Sequence, residues 1–131
     1  MFNHLIGSCY NHLENLSTLY DPGWNSVSLA PAYDLVCTTY YARFSRRMGM
    51  SVGNASMIDD VSVDDLALHA KRLGISPKRL KALARTMLSR VAPALHAAAE
   101  SLVERGFPEA LYVADDLEED MAPRAEILGL L

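Results

Sequence analysis

Apolar residues change their spacing near residue 60, and beyond it they recur at helical intervals. Ser62 stands three residues before Asp65, the arrangement of a capping box at a helix start. Leu66, Ala70 and Leu73 then follow on one helical face as far as Gly74. The pattern predicts a first helix from about Ser62 to Gly74.

A second, longer helix is predicted from Ser76-Pro77, an N-cap followed by proline at the first helical position, to a stop at Gly106. One apolar stripe follows it, made of Leu80, Leu83, Ala84, Met87, Leu88, Val91, Leu95, Ala98 and Leu102. Proline in a helix interior removes a hydrogen bond, so we expect a kink at Pro93. A third helix is predicted over residues 108 to about 130, interrupted near Pro123.

The first half is rich in turns. Leu16-Ser-Thr-Leu-Tyr20 and Ser26-Val-Ser-Leu29 flank the turn sequence Asp21-Pro-Gly-Trp24, which predicts a small hairpin. Met48-Gly-Met-Ser-Val52 is a third possible strand, bounded by Gly53 and Asn54. These strands are too short for a sheet core, so the expected fold is mainly α, with a short β-hairpin against a helical bundle.

The composition is that of an ordinary globular protein, because 50% of the 131 residues are hydrophobic and 21% are charged. We expect one domain, with a site-bearing part of about 1–60 and a helical part of about 61–131. Two cysteines cannot staple a secreted fold, and the start of the chain lacks a basic segment followed by an apolar run. No apolar run approaches the roughly 20 residues of a spanning helix. These features predict a cytoplasmic protein with no membrane segment.

The most informative residues run Leu5-Ile-Gly-Ser-Cys-Tyr-Asn-His-Leu-Glu-Asn15 and, after the hairpin, Leu29-Ala-Pro-Ala-Tyr-Asp-Leu-Val36. Their order and spacing resemble the HipA-like toxin kinase family, in which a loop Asp-x-His-x-Lys-Asn precedes a hairpin and a Pro-x-Tyr-Asp segment. The resemblance continues through Thr38-Thr-Tyr40 and the Ala70-x-x-Leu-Gly74 helix end. It implies a kinase-like C-terminal lobe of a serine/threonine protein kinase from a type II toxin–antitoxin lineage.

Within that resemblance, Asn15 and Asp34 take the positions of the metal ligands. Magnesium prefers hard oxygen ligands, which an Asn amide and an Asp carboxylate supply. A hairpin between the two residues can fold the chain back so that both side chains face one cleft. The alternative is that Asn15 is a turn residue and Asp34 a helix cap.

Two departures from the family loop predict that the chain is catalytically incompetent alone. Tyr10 occupies the position of the catalytic Asp, and a phenol with an ordinary pKa of about 10 cannot accept a substrate proton as a carboxylate does. Glu14 replaces the family's Lys, exchanging a phosphate-compatible cation for an anion that would repel a nucleotide's phosphates. His12 is retained, and we interpret it as a hydrogen-bonding residue of the loop.

The family implies Mg and ATP as cofactors, yet ATP also requires a phosphate-covering loop and a phosphate-pairing Lys. No Lys precedes Lys71, and no glycine-rich turn precedes the loop. We therefore expect binding of ATP to need an N-terminal kinase lobe on another chain, unless the chain is a remnant. A HipB-like antitoxin is a second possible partner, which would make the chain a binding module without enzyme activity.

A further alternative is a DNA-binding helical domain. The first two predicted helices have a helix–turn–helix appearance, and most of the basic residues lie there, with Lys78, Arg79 and Lys81 as candidate phosphate or DNA contacts. A net charge of −4 argues against nucleic-acid binding by the whole surface. We favour a solvated basic face and expect direct nucleic-acid binding to be absent.

Overall fold

The computed structural model describes residues 1–130; Leu131, the last residue of the predicted helical part, lies outside the described residues. The α-helices are α1 (Phe2–Leu5), α2 (Val63–Arg72), α3 (Pro77–Glu104) and α4 (Ala110–Ile127). The strands are β1 (Thr18–Tyr20), β2 (Val27–Leu29), β3 (Arg47–Val52) and β4 (Ala55–Met57). Short 3-10 turns cover Leu13–Asn15 and Ile58–Asp60. The prediction of a mainly α fold with a short β-hairpin is confirmed, and the structure has a second hairpin.

Helix α2 begins as the sequence predicts. The backbone N–H of Asp65 donates to Ser62 Oγ at 3.2 Å, and the backbone N–H of Ser62 donates to Asp65 Oδ2 at 3.1 Å. Asp65 Oδ1 also accepts from the backbone N–H of Asn54 at 2.9 Å. Hydrogen bonds from Ser62 and Asn54 outweigh the effect of burial and lower the pKa of Asp65. The capping box therefore also fastens the β3–β4 turn to α2.

The helix start at Pro77 is likewise confirmed, with Ser76 Oγ accepting from the backbone N–H of Arg79 at 3.2 Å. The predicted interruption of the third helix near Pro123 is wrong, because α4 is continuous through it. Pro123 is exposed, so water can bind the carbonyl that loses its partner. Helix α4 therefore continues through Pro123 at the cost of one helical hydrogen bond.

The predicted hairpin is present, with β1 antiparallel to β2 and Leu19 opposite Ser28. All six strand residues are exposed, so this hairpin stands clear of the core. The third predicted strand is also confirmed, and it pairs with β4, which the sequence did not suggest. Both hairpins precede α2 and lie beside the N-terminal loop, and each remains a separate two-stranded sheet.

The core lies where α3 packs against α2 and α4, with α1 against the α3–α4 pair. Its innermost residues are Leu5, Ile58, Ala70, Ala84, Ala125 and Leu128. Alanine on α2, α3 and α4 permits close approach of the helices. Within residues 1–130, every helix is too short or too polar to cross a bilayer.

A candidate metal-binding cleft

The loop that carries Asn15 is closed by a hydrogen bond of its own. Asn15 ends the 3-10 turn, and its Nδ2 donates to the carbonyl of Tyr10 at 3.2 Å. Because the amide nitrogen is used in this way, Oδ1 is the atom left to act as an acceptor or metal ligand. The side-chain amide therefore both shapes the loop and presents an oxygen.

Strand β3 is hydrogen-bonded to the start of this loop through the backbone. The backbone N–H of Gly49 donates to the carbonyl of Cys9 at 2.9 Å. A methyl group at Gly49 would lie 2.7 Å from the carbonyl oxygen of Asn11 and 2.8 Å from His12 Nδ1, so glycine permits this close approach. The imidazole of His12 lies against β3 rather than among the residues that line the cleft.

The hairpin returns the chain to the Asn15 loop. The hydroxyl of Tyr33 lies 2.8 Å from the carbonyl of Glu14, to which it donates, and 2.8 Å from Ser17 Oγ. The next residue, Asp34, has a φ of +54°, in the left-handed region that Asp tolerates better than most side chains. Tyr33 thus fastens the segment that carries Asp34 directly to the one that carries Asn15.

As a result, one cleft of about 330 Å³ is lined by Tyr10, Asn15 and Asp34 together. Its other walls come from Met1, Phe2, Asn3, Asn11, Leu16, Ala32, Tyr33, Leu35 and Met50. The predicted hairpin geometry therefore brings the two candidate ligands to one place. Asp34 caps no helix, since the next helical turn begins only at Ile58, so that part of the alternative interpretation is wrong.

The donor set suits magnesium better than a metal held entirely by protein. Within residues 1–130, no three His, Cys, Asp or Glu residues group closely enough to hold an ion. Asn15 and Asp34 supply two hard oxygen donors, and Mg²⁺ commonly keeps several waters while binding through one or two carboxylates and substrate phosphates. A site that offers two protein ligands and is open to solvent matches this coordination of Mg²⁺.

The other predicted loop residues differ in their relation to the cleft. Tyr10 is half exposed in its wall, and its ring packs edge-on against His12 with centroids 5.0 Å apart. Glu14 contributes its carbonyl to Tyr33 but is not among the residues that line the cleft. The position at which the resemblance expects the catalytic Asp thus lies in the wall of the cleft, and it is occupied by the phenol of Tyr10.

The candidate phosphate or DNA contacts lie elsewhere. Lys78 and Arg79 are exposed in the first turn of α3, and Lys81 is half-buried near Gly129. None of the three lines the cleft. The structure separates this basic face from the metal-type ligands, and the expectation that it is a solvated face without direct DNA binding stays a prediction.

A larger cavity, of about 540 Å³, opens between α3 and α4. Its walls are mostly apolar, with Arg90 as the one charged lining residue. It shares Phe2 and Leu35 with the cleft but has too few polar groups to hold a metal or a phosphate chain. We therefore place the candidate chemistry in the smaller cleft.

Sequence reasoning missed a buried polar cluster behind the cleft. Arg124 is only 5% exposed and forms an ion pair with Asp120, with 2.6 Å between Nη2 and Oδ2. Thr39 Oγ1 donates to the same carboxylate oxygen at 2.5 Å. Burial acts to raise the pKa of Asp120, but hydrogen bonds from Arg124 and Thr39 outweigh it and lower that pKa. A lone acid and base on a predicted helix give no signal of such a long-range role.

Comparison with known proteins places these residues in a wider family. The profile of the HipA-like C-terminal domain family matches residues 1–95. A Sinorhizobium fredii protein named "Putative kinase Y4dM" is 30% identical over 127 residues, 97% of this chain and 29% of the relative. Another from the same organism, "Putative kinase Y4mE", is 32% identical over 75 residues, 57% of this chain and 17% of the relative.

A solved structure has the same fold. It is titled as the Shewanella oneidensis MR-1 toxin–antitoxin system HipA, HipB and its operator DNA complex, and matches with a TM-score of 0.77 at 21% identity. The match covers 97% of this chain and 29% of the solved one. The chain thus spans less than a third of the length of these relatives.

Proposed function

Because the chain belongs to the HipA-like C-terminal domain family, we propose that it is the C-terminal lobe of a HipA-type serine/threonine protein kinase of toxin–antitoxin lineage. In this proposal Asn15 and Asp34 hold the magnesium of Mg-ATP. The observation that carries it is their placement in one cleft, whose wall also includes Tyr10, the residue that the resemblance aligns with the catalytic Asp. The names of the Sinorhizobium relatives support the kinase assignment.

The residues of this chain would act by position and charge. The Asn15 amide oxygen and the Asp34 carboxylate supply one neutral and one anionic ligand, and the Tyr33–Glu14 hydrogen bond keeps their segments together. When bound, magnesium would neutralise charge on the phosphates during transfer. The left-handed backbone at Asp34 is the kind of local strain that a binding site can retain.

We propose that these 131 residues do not turn over ATP by themselves. Positioned acid–base catalysis contributes about 10²–10⁴-fold, and Tyr10 replaces the carboxylate that would supply it. An N-terminal kinase lobe, which we propose as the partner of this domain, would supply nucleotide binding but not the missing base; the alternative is that the domain serves as a binding module. The two free thiols, Cys9 and Cys37, suit the reducing cytoplasm in which we place the protein.

The second proposed partner is a HipB-like antitoxin. The solved structure with the same fold is titled as a complex of HipA, HipB and operator DNA, which supports a partner of that kind for this chain. Co-expression with a HipB-like antitoxin should give a complex that survives affinity purification. Failure of the two proteins to co-purify would count against the antitoxin.

Metal binding tests the proposal most directly. Mn²⁺ replaces Mg²⁺ at oxygen sites and broadens nearby NMR signals, so its addition to the chain should broaden signals of residues around Asn15 and Asp34. Asn15→Ala or Asp34→Asn should each remove this localised broadening. The matched controls are Asn25→Ala at the exposed hairpin tip and Asp60→Asn beyond β4, which should leave it unchanged.

Nucleotide binding and turnover are tested separately by calorimetry and by phosphate incorporation. The chain alone should bind Mg-ATP weakly and incorporate no phosphate, whereas adding a nucleotide-binding lobe of the family should restore Mg-ATP binding. Absence of localised Mn²⁺ broadening would remove the metal assignment. Phosphorylation of any protein by the 131-residue chain alone would contradict the proposed incompetence.

A further inference from the structure

Helix α4 contacts both segments that meet at the cleft. Arg124 donates from Nε and Nη2 to the carbonyl oxygen of Leu5, at 3.3 and 3.2 Å, so it holds the segment that leads to Tyr10. Arg124 also forms an ion pair with Asp120. Asp120 in turn accepts a hydrogen bond from Thr39, which lies in the segment that follows Asp34. One ion pair, between buried Arg124 and half-buried Asp120, therefore reaches both sides of the site. We call Thr39, Asp120 and Arg124 the α4 cluster.

The two segments are also joined directly. The carbonyl oxygen of Gly7 accepts two hydrogen bonds, one from the backbone N–H of Thr39 and one from Thr38 Oγ1, each at 3.1 Å. In return, Thr38 Oγ1 accepts from the backbone N–H of Cys9 at 2.8 Å. Residues 7–9 and 38–39 thus form one hydrogen-bonded unit, with Tyr10 immediately after it.

Gly7 lies at the centre of this unit, with φ at +74°. A methyl group added there would overlap the hydroxyl of Thr39 and lie 2.9 Å from both Arg124 Nη2 and Asp120 Oδ2. All three polar side chains of the α4 cluster therefore converge on a position that has room only for hydrogen. This close convergence distinguishes the cluster from an incidental surface ion pair.

Buried ion pairs of this kind fix geometry more than they add stability. Desolvation of Asp120 and Arg124 offsets much of their attraction, so an apolar replacement of the pair can be as stable. Their hydrogen bonds are directional, however, and they hold Leu5 and Thr39 at set distances from one helix. The cluster's main physical effect is thus to set the relation between the two segments.

We propose that Asp120 and Arg124 are positioning residues of the cleft, acting through Thr39 and Leu5 to fix the Asp34 segment against the Asn15 loop. This inference rests on the proposed function, because the placement of the Asp34 segment relative to the Asn15 loop sets how well the two ligands can share one metal ion. It adds to the site a helix that lies beyond residue 95, where the family match ends.

Thr39 allows the contact to be removed without disturbing the ion pair. Thr39→Val deletes the hydroxyl at nearly constant volume, and Thr39→Ser keeps it. If the lost contact is worth one ordinary hydrogen bond, Thr39→Val should weaken Mn²⁺ binding about 3- to 10-fold, measured from free Mn²⁺ by electron paramagnetic resonance. Thr39→Ser should recover the wild-type affinity, which separates positioning from a general loss of structure.

Thr86→Val is the matched control, since the Thr86 hydroxyl donates only to the carbonyl of Ala82 on the exposed face of α3. It should leave the Mn²⁺ affinity unchanged. Equal Mn²⁺ affinity of the wild type, Thr39→Val and Thr39→Ser would overturn the proposal. So would equal weakening by Thr39→Val and Thr39→Ser.

Amide hydrogen exchange keeps this inference distinguishable from the proposed function. If the wild-type chain binds no Mn²⁺, the metal assignment fails, and the cluster is judged by the Cys9 and Thr39 amides. Thr39→Val should speed exchange of both amides about tenfold, which corresponds to a loss of about 1.4 kcal/mol in the free energy of local opening. Thr86→Val should leave both exchange rates unchanged. Unchanged exchange at Cys9 and Thr39 would overturn the positioning role.

Discussion

The hydroxyl of Tyr33 donates a 2.8 Å hydrogen bond to the carbonyl oxygen of Glu14, so the residue before Asp34 is tied to the residue before Asn15. The hairpin between them adds no buried strand residue. The backbone pairing of the hairpin brings the two candidate ligands near each other, and this contact and the polar cluster of Thr39, Asp120 and Arg124 add to it. Both contacts can be altered by single substitutions.

Removing the Tyr33 hydroxyl should loosen the metal site without unfolding the protein. Tyr33→Phe keeps the ring but deletes the donor to Glu14, and a hydrogen bond of this kind contributes about 0.5–1.5 kcal/mol. We expect Mn²⁺ affinity to fall roughly 2- to 10-fold. Tyr112→Phe, at an exposed position on α4, is the control and should bind like the wild type. Equal affinity of the Tyr33 and Tyr112 variants would remove the proposed role of this contact.

Gly7→Ala should be more destabilising than the same change at Gly74. Both glycines have positive φ, +74° and +70°, so each substitution carries the left-handed backbone penalty of about 1–2 kcal/mol. Only Gly7 is enclosed, whereas nothing lies within 4 Å of a methyl group at Gly74. We expect about 2–4 kcal/mol for Gly7→Ala from urea unfolding, because overpacking adds to the backbone term. Similar values for both variants would show that the α4 cluster moves aside easily.

His4 should make the fold sensitive to mild acid. Its imidazole is buried, and neither ring nitrogen has a hydrogen-bond partner among residues 1–130. Desolvation, then the positive charges of Arg124 and the N-terminus, lower the pKa of His4 from 6.5 to about 4. The unfolded chain therefore binds a proton that the folded chain resists. Stability should be complete above about pH 6.5 and decline as the pH falls towards 4, by at most about 3 kcal/mol.

Chemical denaturation between pH 7 and pH 4.5 measures this loss. His4→Leu should flatten the pH dependence of the free energy of unfolding, whatever its effect on stability at pH 7. A slope unchanged by His4→Leu would assign the acid sensitivity to other groups.

Pro123→Ala should stabilise the protein. Proline inside α4 removes one helical hydrogen bond, and its cost in a helix interior is about 3 kcal/mol relative to Ala. Because Pro123 is exposed, no packing is lost, and we expect a gain of about 1–3 kcal/mol in thermal unfolding. Pro108→Ala, ahead of α4, should change stability little. Destabilisation by Pro123→Ala would mean that the proline shapes the helix so that Asp120 and Arg124 reach their partners.

Local sequence signals predicted the elements that depend on local contacts. The capping box at Ser62 and Asp65, the Ser76-Pro77 start and the turn at 21–24 are all present as the sequence indicates. The order of Asn15, hairpin and Asp34 also placed both residues at one cleft. In each case the residues that carry the sequence signal and the residues that they contact in the structure lie within about 20 positions of one another along the chain.

What the sequence could not show depends on contacts between distant residues. Arg124 meets Leu5 across 119 positions, and Asp120 meets Thr39 across 81. An Asp and an Arg four apart on a helix usually form an exposed pair, so nothing in their spacing marks them as buried. The prediction of a helix interruption near Pro123 was wrong for a related reason. Whether α4 tolerates this proline depends on which side of the helix faces solvent, and distant contacts decide that.

Trp24 gives the β1–β2 hairpin an optical label that needs no engineering. It is the only tryptophan of the chain, 77% exposed at the hairpin tip and stacked near Tyr20 with ring centroids 4.8 Å apart. Its fluorescence in the native protein should already resemble that of a hydrated indole, so heating or urea will shift the emission maximum little. A blue shift on mixing with another macromolecule would then report that the hairpin has been covered, while unfolding has to be followed by circular dichroism.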